Sequence, residues 1–292
     1  MKKIEKKIME KWYLEILPEF SVLYDYKNKV TFTDFASAIE KKYGGDKTKH
    51  IIFLKNMDSK NLLKPVLDLM KNGYKKVEKK QDEGKEREFV AETMRRIYKQ
   101  GLTTISGGNI SFRNSDGFIF LTASQTDKSC IKAEQIIIFD QNYKNLTPDL
   151  KPSMESSMHL KIYKNRADIS AIIHSHPIYT STFSILKQKI NTAITGEAAY
   201  ILGEIAEINY ALMGTEELAD LCCKELQTKN IGIMRNHGAI TLGKTLTEAF
   251  DRMEVLEFTA KINFNLLLAN SEYSQLNDNQ IKEILKLKNG II

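Results

Sequence analysis

Residues 169–177 read ISAIIHSHP, an apolar run that ends in the pair His174 and His176. Alternate residues of a β-strand face the same side, so two imidazoles at this spacing can converge on one ion. A third histidine, His237, follows another apolar run in IMRNHGAI, residues 233–240. Three protein ligands with one open position are typical of catalytic zinc. The three histidines together predict a catalytic metal site.

The clustering of these histidines carries the prediction, because a single histidine is more often a packing or surface residue than a ligand. The chain has only five histidines, and three of them end strand-like segments. Glu155 lies upstream in KPSMESSMH, residues 151–159, where it could act as a base beside the ion or simply favour a helix N-terminus. His159 follows one helical turn later and is predicted to support the structure or the ligands.

Length and composition indicate a globular protein without a membrane span. The chain has 292 residues, of which 42% are hydrophobic, enough for one large core or two smaller ones. No apolar run approaches the roughly 18 residues of a spanning helix, and the lysine-rich start lacks the features of a signal peptide. We therefore expect a cytoplasmic protein, in which Cys130, Cys222 and Cys223 are reduced thiols.

The positive charge is concentrated at the N-terminus. Residues 1–80 contain 19 lysines and 11 acidic residues, whereas the whole chain has a net charge of +6. A solvated lysine-rich face explains this better than nucleic-acid binding, because no arginine or interleaved aromatic pattern accompanies the lysines. The charged stretch 75–88 predicts a boundary between a small basic α/β domain of unknown role, residues 1–82, and a larger domain, residues 83–292.

Strand and helix patterns alternate in the larger domain, which predicts a layered α/β architecture. The pattern predicts helices at residues 89–100, 154–165, 215–226 and 246–268. It predicts strands at residues 117–122, 136–140, 169–174, 231–234 and 239–242.

Three polar turns lie between these elements and could form one phosphate pocket. Residues 106–111, SGGNIS, contain consecutive glycines that permit close approach of backbone amides to an anion. Residues 122–126 offer hydroxyl and amide donors, and Ser153 could cap the helix that carries Glu155. The first sequence more often only reverses the chain, and the second is also explained by ordinary turn and helix-cap chemistry.

Six motifs, in order, resemble those of the class II aldolase/adducin family, over roughly residues 88–270. They are GLTTISGGNISFR (101–113), LTASQ (121–125), KPSMESSMH (151–159), AIIHSHP (171–177), GTEEL (214–218) and NHGAITLG (236–243). The resemblance implies a nine-stranded, mostly antiparallel sheet flanked by helices, assembled as a homotetramer with the active site at a subunit boundary.

The resemblance also implies a role for each matching residue. Zinc, or another divalent metal, would be held by His174, His176 and His237. Glu155 would be the catalytic acid/base and could fill the vacant metal position. The substrate phosphate would be bound by residues that differ in part from the family pattern. These residues are Asn109, Ser124, Gln125, Ser153 and Met154. The family has Thr-Gly where this chain has Ser124-Gln125, and it has Ser-Ser where this chain has Ser153-Met154 before the glutamate.

These residues favour metal-dependent retro-aldol cleavage of a phosphorylated ketose to glycerone phosphate (dihydroxyacetone phosphate) and an aldehyde. A sugar-phosphate 4-epimerase or a methylthioribulose-phosphate dehydratase could share the scaffold. The epimerases normally carry aspartate in place of Glu155, and the dehydratases usually lack this glutamate. A non-catalytic adducin-like scaffold is an alternative of another class, which the retention of three histidines and Glu155 disfavours.

Overall fold

The structure is a computed structural model that describes residues 83–288 and residue 290. The chain divides into two units between Gln81 and Asp82, and the described residues belong to the second unit. The small basic α/β domain predicted for residues 1–82 lies outside the described residues. Among the helices of the described part, none is both long enough and apolar enough to cross a bilayer.

Helices and strands alternate along the described residues. The helices are α1 (Glu83–Lys99), α2 (Ser156–Asn165), α3 (Ile178–Ile185), α4 (Gly196–Ile201), α5 (Glu216–Glu225), α6 (Leu246–Ala269) and α7 (Asp278–Lys288). The strands are β1 (Asn109–Arg113), β2 (Ile119–Thr122), β3 (Ile136–Phe139), β4 (Ala171–Ser175), β5 (Ala206–Ile208), β6 (Ile231–Met234) and β7 (Gly238–Gly243). Threonine side chains cap α5 and α6, where Thr215 and Thr245 each accept a hydrogen bond from a backbone amide.

The described strands form one sheet in the order β3-β2-β1-β4-β7-β6-β5. Neighbouring strands are antiparallel except for β5 and β6, which are parallel. The predicted fold class, a layered α/β fold with a mostly antiparallel sheet flanked by helices, is confirmed. The number of strands implied by the resemblance differs, because the described residues form seven strands and not nine.

The sheet lies between two helical layers. Alternate residues of each strand are buried on opposite faces of the sheet, as the pleat of a strand requires. Ile173 of β4 packs on one face with the layer of α1, α3 and α6. Ile172 packs on the other face with the layer of α2 and α5. His174 has the same parity as Ile172, so it faces the layer that contains α2.

Helix α3 was not predicted, because its sequence IYTSTFSI is rich in β-branched and aromatic residues that favour strands. The N-terminus of α3 is stabilised by a carboxylate of α6 and not by the helix propensity of its own residues. Glu257 accepts hydrogen bonds from the backbone amides of Tyr179 at 2.9 Å and Thr180 at 2.8 Å. Since α3 begins directly after Pro177, this contact also fixes the chain that leaves His176. The elements β1, β5, α4 and α7 were likewise not predicted.

Replacement of Ile172 tests the packing of the central strand. Ile172 is fully buried, so Ile172→Ala is expected to lower the free energy of unfolding by about 2–5 kcal/mol through lost burial and a cavity. Ile185 is 68% exposed, and Ile185→Ala is the matched control, with an expected change of about 0.5 kcal/mol or less. Urea denaturation followed by circular dichroism measures both. Equal losses would contradict this packing.

Candidate metal centre

Strand β4 positions the first two histidines. His174 lies near its end, opposite Asn109 of β1 and Ile240 of β7, and His176 follows on the same side of the chain. The strand geometry predicted from the sequence therefore brings both imidazoles to one end of the sheet. His174 is fully buried, whereas His176 is partly buried.

A tight hairpin between β6 and β7 positions His237. The three connecting residues are Arg235, Asn236 and His237, and Asn236 adopts a left-handed conformation with φ 54°. Asparagine tolerates this conformation better than most residues, and three-residue hairpins commonly contain one such residue. The backbone amide of His237 donates to the carbonyl oxygen of Met234 at 3.1 Å. This hydrogen bond stabilises the turn, from which the imidazole faces β4.

The three imidazoles meet in a group that could hold a metal ion. Their ligand atoms lie within 4.8 Å of one another, and the Nε2 atoms of His174 and His176 are 3.0 Å apart. His174 donates through Nδ1 to the carbonyl oxygen of Ala239 at 2.9 Å, so the lone pair of its Nε2 faces the group. This backbone contact is the usual support for a histidine that binds a metal.

The carboxylate of Glu155 completes the group. Its Oε2 lies 3.2 Å from Nε2 of His174, and its Oε1 lies 3.3 Å from Nε2 of His237. Neighbouring ligands of tetrahedral zinc are about 3.3 Å apart, since each Zn–N bond is about 2.0–2.1 Å. The observed distances fit that spacing. Oε1 is buried and receives no hydrogen bond from a described residue, which a bound cation would compensate.

Glu155 is turned away from the helix it precedes. Helix α2 begins at Ser156, and the side chain of Glu155 makes no capping hydrogen bond. The carboxylate instead contacts Asn109, His174 and His237, which a role at the helix N-terminus alone would not require. Ser153 does not cap α2 either. Its hydroxyl accepts from the amide of Glu155 at 3.3 Å.

The local electrostatics of Glu155, His176 and His237 favour the protonation states that bind a metal. Burial opposes ionisation of Glu155, but His174 and a hydrogen bond from Asn109 hold the pKa of this carboxyl well below its usual value. Burial, together with the charge of His174, lowers the pKa of His176 to about 3 and that of His237 to about 4. Burial also acts against charging of His174, but the Glu155 carboxylate raises the pKa of His174 overall. The site thus pairs a carboxylate with neutral imidazoles at His176 and His237.

Two glycines make room for the His176 ring. A Cβ atom on Gly238 would lie 2.6 Å from Cδ2 of His176, and one on Gly107 would lie 2.8 Å from its Nδ1. Both distances are shorter than van der Waals contact. Only glycine therefore lets the β6–β7 hairpin and the 106–111 turn close around this imidazole.

The three polar turns come together beside Glu155. Asn109 donates through Nδ2 to the hydroxyl of Ser153 at 3.2 Å, which joins the first turn to the third. The backbone amide of Ser124 donates to the carbonyl oxygen of Lys151 at 2.9 Å, which joins the second turn to the third. Gln125 occupies a left-handed conformation with φ 58°, and Met154 is 64% exposed. The phosphate role of these residues remains a prediction.

Sequence reasoning missed Lys128, which lies behind the second turn. Its side chain is buried, and Nζ donates to the carbonyl oxygen of Ala123 at 3.1 Å and to the hydroxyl of Thr126 at 2.9 Å. Burial lowers the pKa of Lys128 to about 8. The signal available in the sequence was a lysine two residues after a polar turn, which is too common on surfaces to indicate burial.

The chain is similar to known proteins in sequence and in fold. Residues 88–264 match the family described as Class II Aldolase and Adducin N-terminal domain. The chain is 35% identical to L-fuculose phosphate aldolase of Methanococcus vannielii over 167 residues, which cover 57% of this chain and 89% of the relative. It is 29% identical to 3-oxo-tetronate 4-phosphate decarboxylase of Haemophilus influenzae over 203 residues, which cover 68% of this chain and 95% of that relative. A solved L-fuculose 1-phosphate aldolase superposes with a TM-score of 0.64 at 27% identity, covering 70% of this chain and 95% of that structure.

Replacement of Gly238 tests the packing around His176. Gly238→Ala is expected to displace the imidazole, because the new methyl group would overlap its ring, and to reduce the divalent metal retained after dialysis by at least about tenfold. Gly196→Ala is the control, since a Cβ there would meet no atom within 4 Å. Metal content by mass spectrometry and folding by circular dichroism would be measured together. A folded Gly238→Ala protein with an unchanged metal content would contradict the predicted displacement.

Proposed function

The chain belongs to the class II aldolase and adducin family, and we propose that it is a zinc-dependent aldolase. The reaction is retro-aldol cleavage of a phosphorylated ketose to glycerone phosphate and an aldehyde. The observation that carries the proposal is the buried Glu155 carboxylate, which lies among three imidazoles with one oxygen lacking any hydrogen bond from a described residue.

The three histidines, Glu155 and Asn109 have different tasks in this reaction. His174, His176 and His237 hold the zinc, which when bound supplies a Lewis acid that stabilises negative charge on the oxygens of the substrate. Glu155 transfers a proton to and from the carbon that carries the negative charge after the carbon–carbon bond breaks. Asn109 donates to Oε2 of Glu155 at 2.8 Å, so Oε1 is the oxygen left for proton transfer.

A phosphorylated substrate is supported by the relatives and by the three turns. Both relatives described above are named for phosphate-bearing compounds, and Ser124 and Ser153 lie in turns that are joined beside Glu155. The buried ammonium group of Lys128 adds positive charge behind the second turn. This arrangement suits a dianionic phosphate.

A decarboxylase is the second candidate, because one relative carries that name and is covered over 95% of its length. Loss of carbon dioxide beside a carbonyl group leaves the same kind of carbanion as retro-aldol cleavage, so the same zinc and Glu155 could serve. The epimerase and the dehydratase remain alternatives on this scaffold. A non-catalytic scaffold would not require the buried carboxylate beside three imidazoles.

The proposal includes a homotetramer in the cytoplasm. Large apolar side chains are exposed near the site. They include Met154, Leu212 and Met213, whose exposed fractions are 53–64%. Met154 packs against Gly214, so these side chains belong to one surface. Exposed apolar surface of this kind is typical of subunit contacts.

A substrate panel tests the reaction directly. The zinc-loaded protein is expected to release glycerone phosphate from at least one ketose 1-phosphate, and a chelated sample is expected to release none. A coupled glycerol-phosphate dehydrogenase assay measures the product, and a carbon dioxide assay with 3-oxo acid phosphates runs in parallel. Release of carbon dioxide alone would favour the decarboxylase, and no product from either series would exclude both reactions for these substrates.

Two substitutions separate metal binding from proton transfer. His176→Ala is expected to lose bound zinc, because one of three protein ligands is removed. Glu155→Gln is expected to retain zinc and to lower kcat by about 100-fold or more, because the amide cannot take up the proton. Metal analysis and steady-state kinetics check both variants. Normal turnover by Glu155→Gln would show that another group transfers the proton.

A further inference from the structure

A line of five buried polar side chains runs from the sheet to the Glu155 carboxylate. The members are Tyr163, Ser111, His159, Asn109 and Glu155, and each is at most 7% exposed. Two lie on β1 and two on α2, so the line crosses from the sheet to the facing helix. Of these side chains, Glu155 and Asn109 have tasks in the proposed reaction, whereas His159, Ser111 and Tyr163 have been given no specific one.

The geometry fixes the direction of each hydrogen bond at His159. Its Nε2 lies 2.5 Å from Oδ1 of Asn109, and an amide oxygen can only accept, so Nε2 carries the proton. Its Nδ1 lies 2.7 Å from Oγ of Ser111 and therefore accepts from that hydroxyl. Tyr163 lies 2.9 Å from the same oxygen and can donate to it. Burial lowers the pKa of His159 to about 3, in agreement with a neutral ring.

The Glu155 carboxylate can only accept, so Nδ2 of Asn109 must face it, and the N–H group of His159 supports this orientation of the amide by donating to Oδ1. With Oδ1 held by His159, Nδ2 faces Glu155 and donates to Oε2 at 2.8 Å. The opposite orientation would bring the amide oxygen against the carboxylate, where two acceptors repel each other. It would also leave Oε2 without its hydrogen bond, and a buried carboxylate oxygen that loses a partner is costly.

We propose that His159 is a positioning residue, which holds the Asn109 amide so that Oε2 of Glu155 is fixed and Oε1 faces His237. This role rests on the proposed function of Glu155. It differs from a purely structural role because it depends on one nitrogen of the ring. The hydrogen bond from Nε2 reaches Glu155 through Asn109, whereas the contact at Nδ1 only supports the ring.

Two amide substitutions separate the two ring nitrogens. The side-chain nitrogen of glutamine reaches approximately the place of Nε2, and that of asparagine reaches approximately the place of Nδ1. His159→Gln is therefore expected to keep the hydrogen bond to Asn109, with kcat within about threefold of the unchanged protein. His159→Asn is expected to lose it and to lower kcat about 100-fold, with KM changed less than about threefold, because Glu155 is displaced.

The cobalt-substituted full-length protein supplies a readout that needs no turnover. Its visible spectrum reports the ligands around the metal, including a carboxylate at the fourth position. The spectrum of His159→Asn is expected to shift towards that of Glu155→Gln, whereas the spectrum of His159→Gln matches the unchanged protein. Thermal unfolding of both variants shows whether either effect follows from lost stability.

The outcomes distinguish this inference from the proposed function. Identical cobalt spectra for His159→Asn and His159→Gln would overturn the positioning role, whatever the kinetics. Absence of product from every sugar would refute the aldolase reaction, yet the spectra would still decide the role of His159. An additional double variant supplies a further check. In an Asn109→Ala background, His159→Asn is expected to cause no further spectral shift, because the connecting amide is already absent.

Discussion

The site depends on the burial of one carboxylate. Glu155 is 7% exposed, and a buried carboxylate is tolerated only when opposite charge and hydrogen-bond donors surround it. Asn109 supplies one donor, while His174 and His237 lie at 3.2 and 3.3 Å. The remaining oxygen lacks a donor among the described residues. A cation held by the three imidazoles would balance this charge, so the carboxylate and the metal site each make the other favourable.

The sheet topology brings these groups together from distant parts of the chain. Strand β4 lies between β1 and β7, so Asn109, His174 and the hairpin that carries His237 share one end of the sheet. Helix α2 packs over that face and carries His159, and Glu155 directly precedes its first residue. The glycines of the surrounding turns allow the close approach, since a methyl group on Gly107 or on Gly238 would strike the ring of His176.

Local patterns in the sequence predicted much of this arrangement and failed where long-range contacts decide. The His-x-His strand and the β6–β7 pair follow from apolar runs bounded by turn residues, which reflect local geometry. Helix α3 was not predicted because its residues favour a strand, and its N-terminus is stabilised by Glu257, which is 77–78 residues distant in sequence. Strand β1 was not predicted because Gly107 and Gly108 indicated a turn, although β1 begins at the next residue.

The sequence alone determined the kind of chemistry available, because residue types and strand periodicity place three imidazoles and one carboxylate near strand ends and a helix start. Only the tertiary structure decided how these groups are oriented. The hydrogen bond between His159 and Asn109 joins residues 50 positions apart, and it forms because α2 lies across β1 at one particular register. Such contacts depend on the packing of whole elements, which no local spacing of residues encodes.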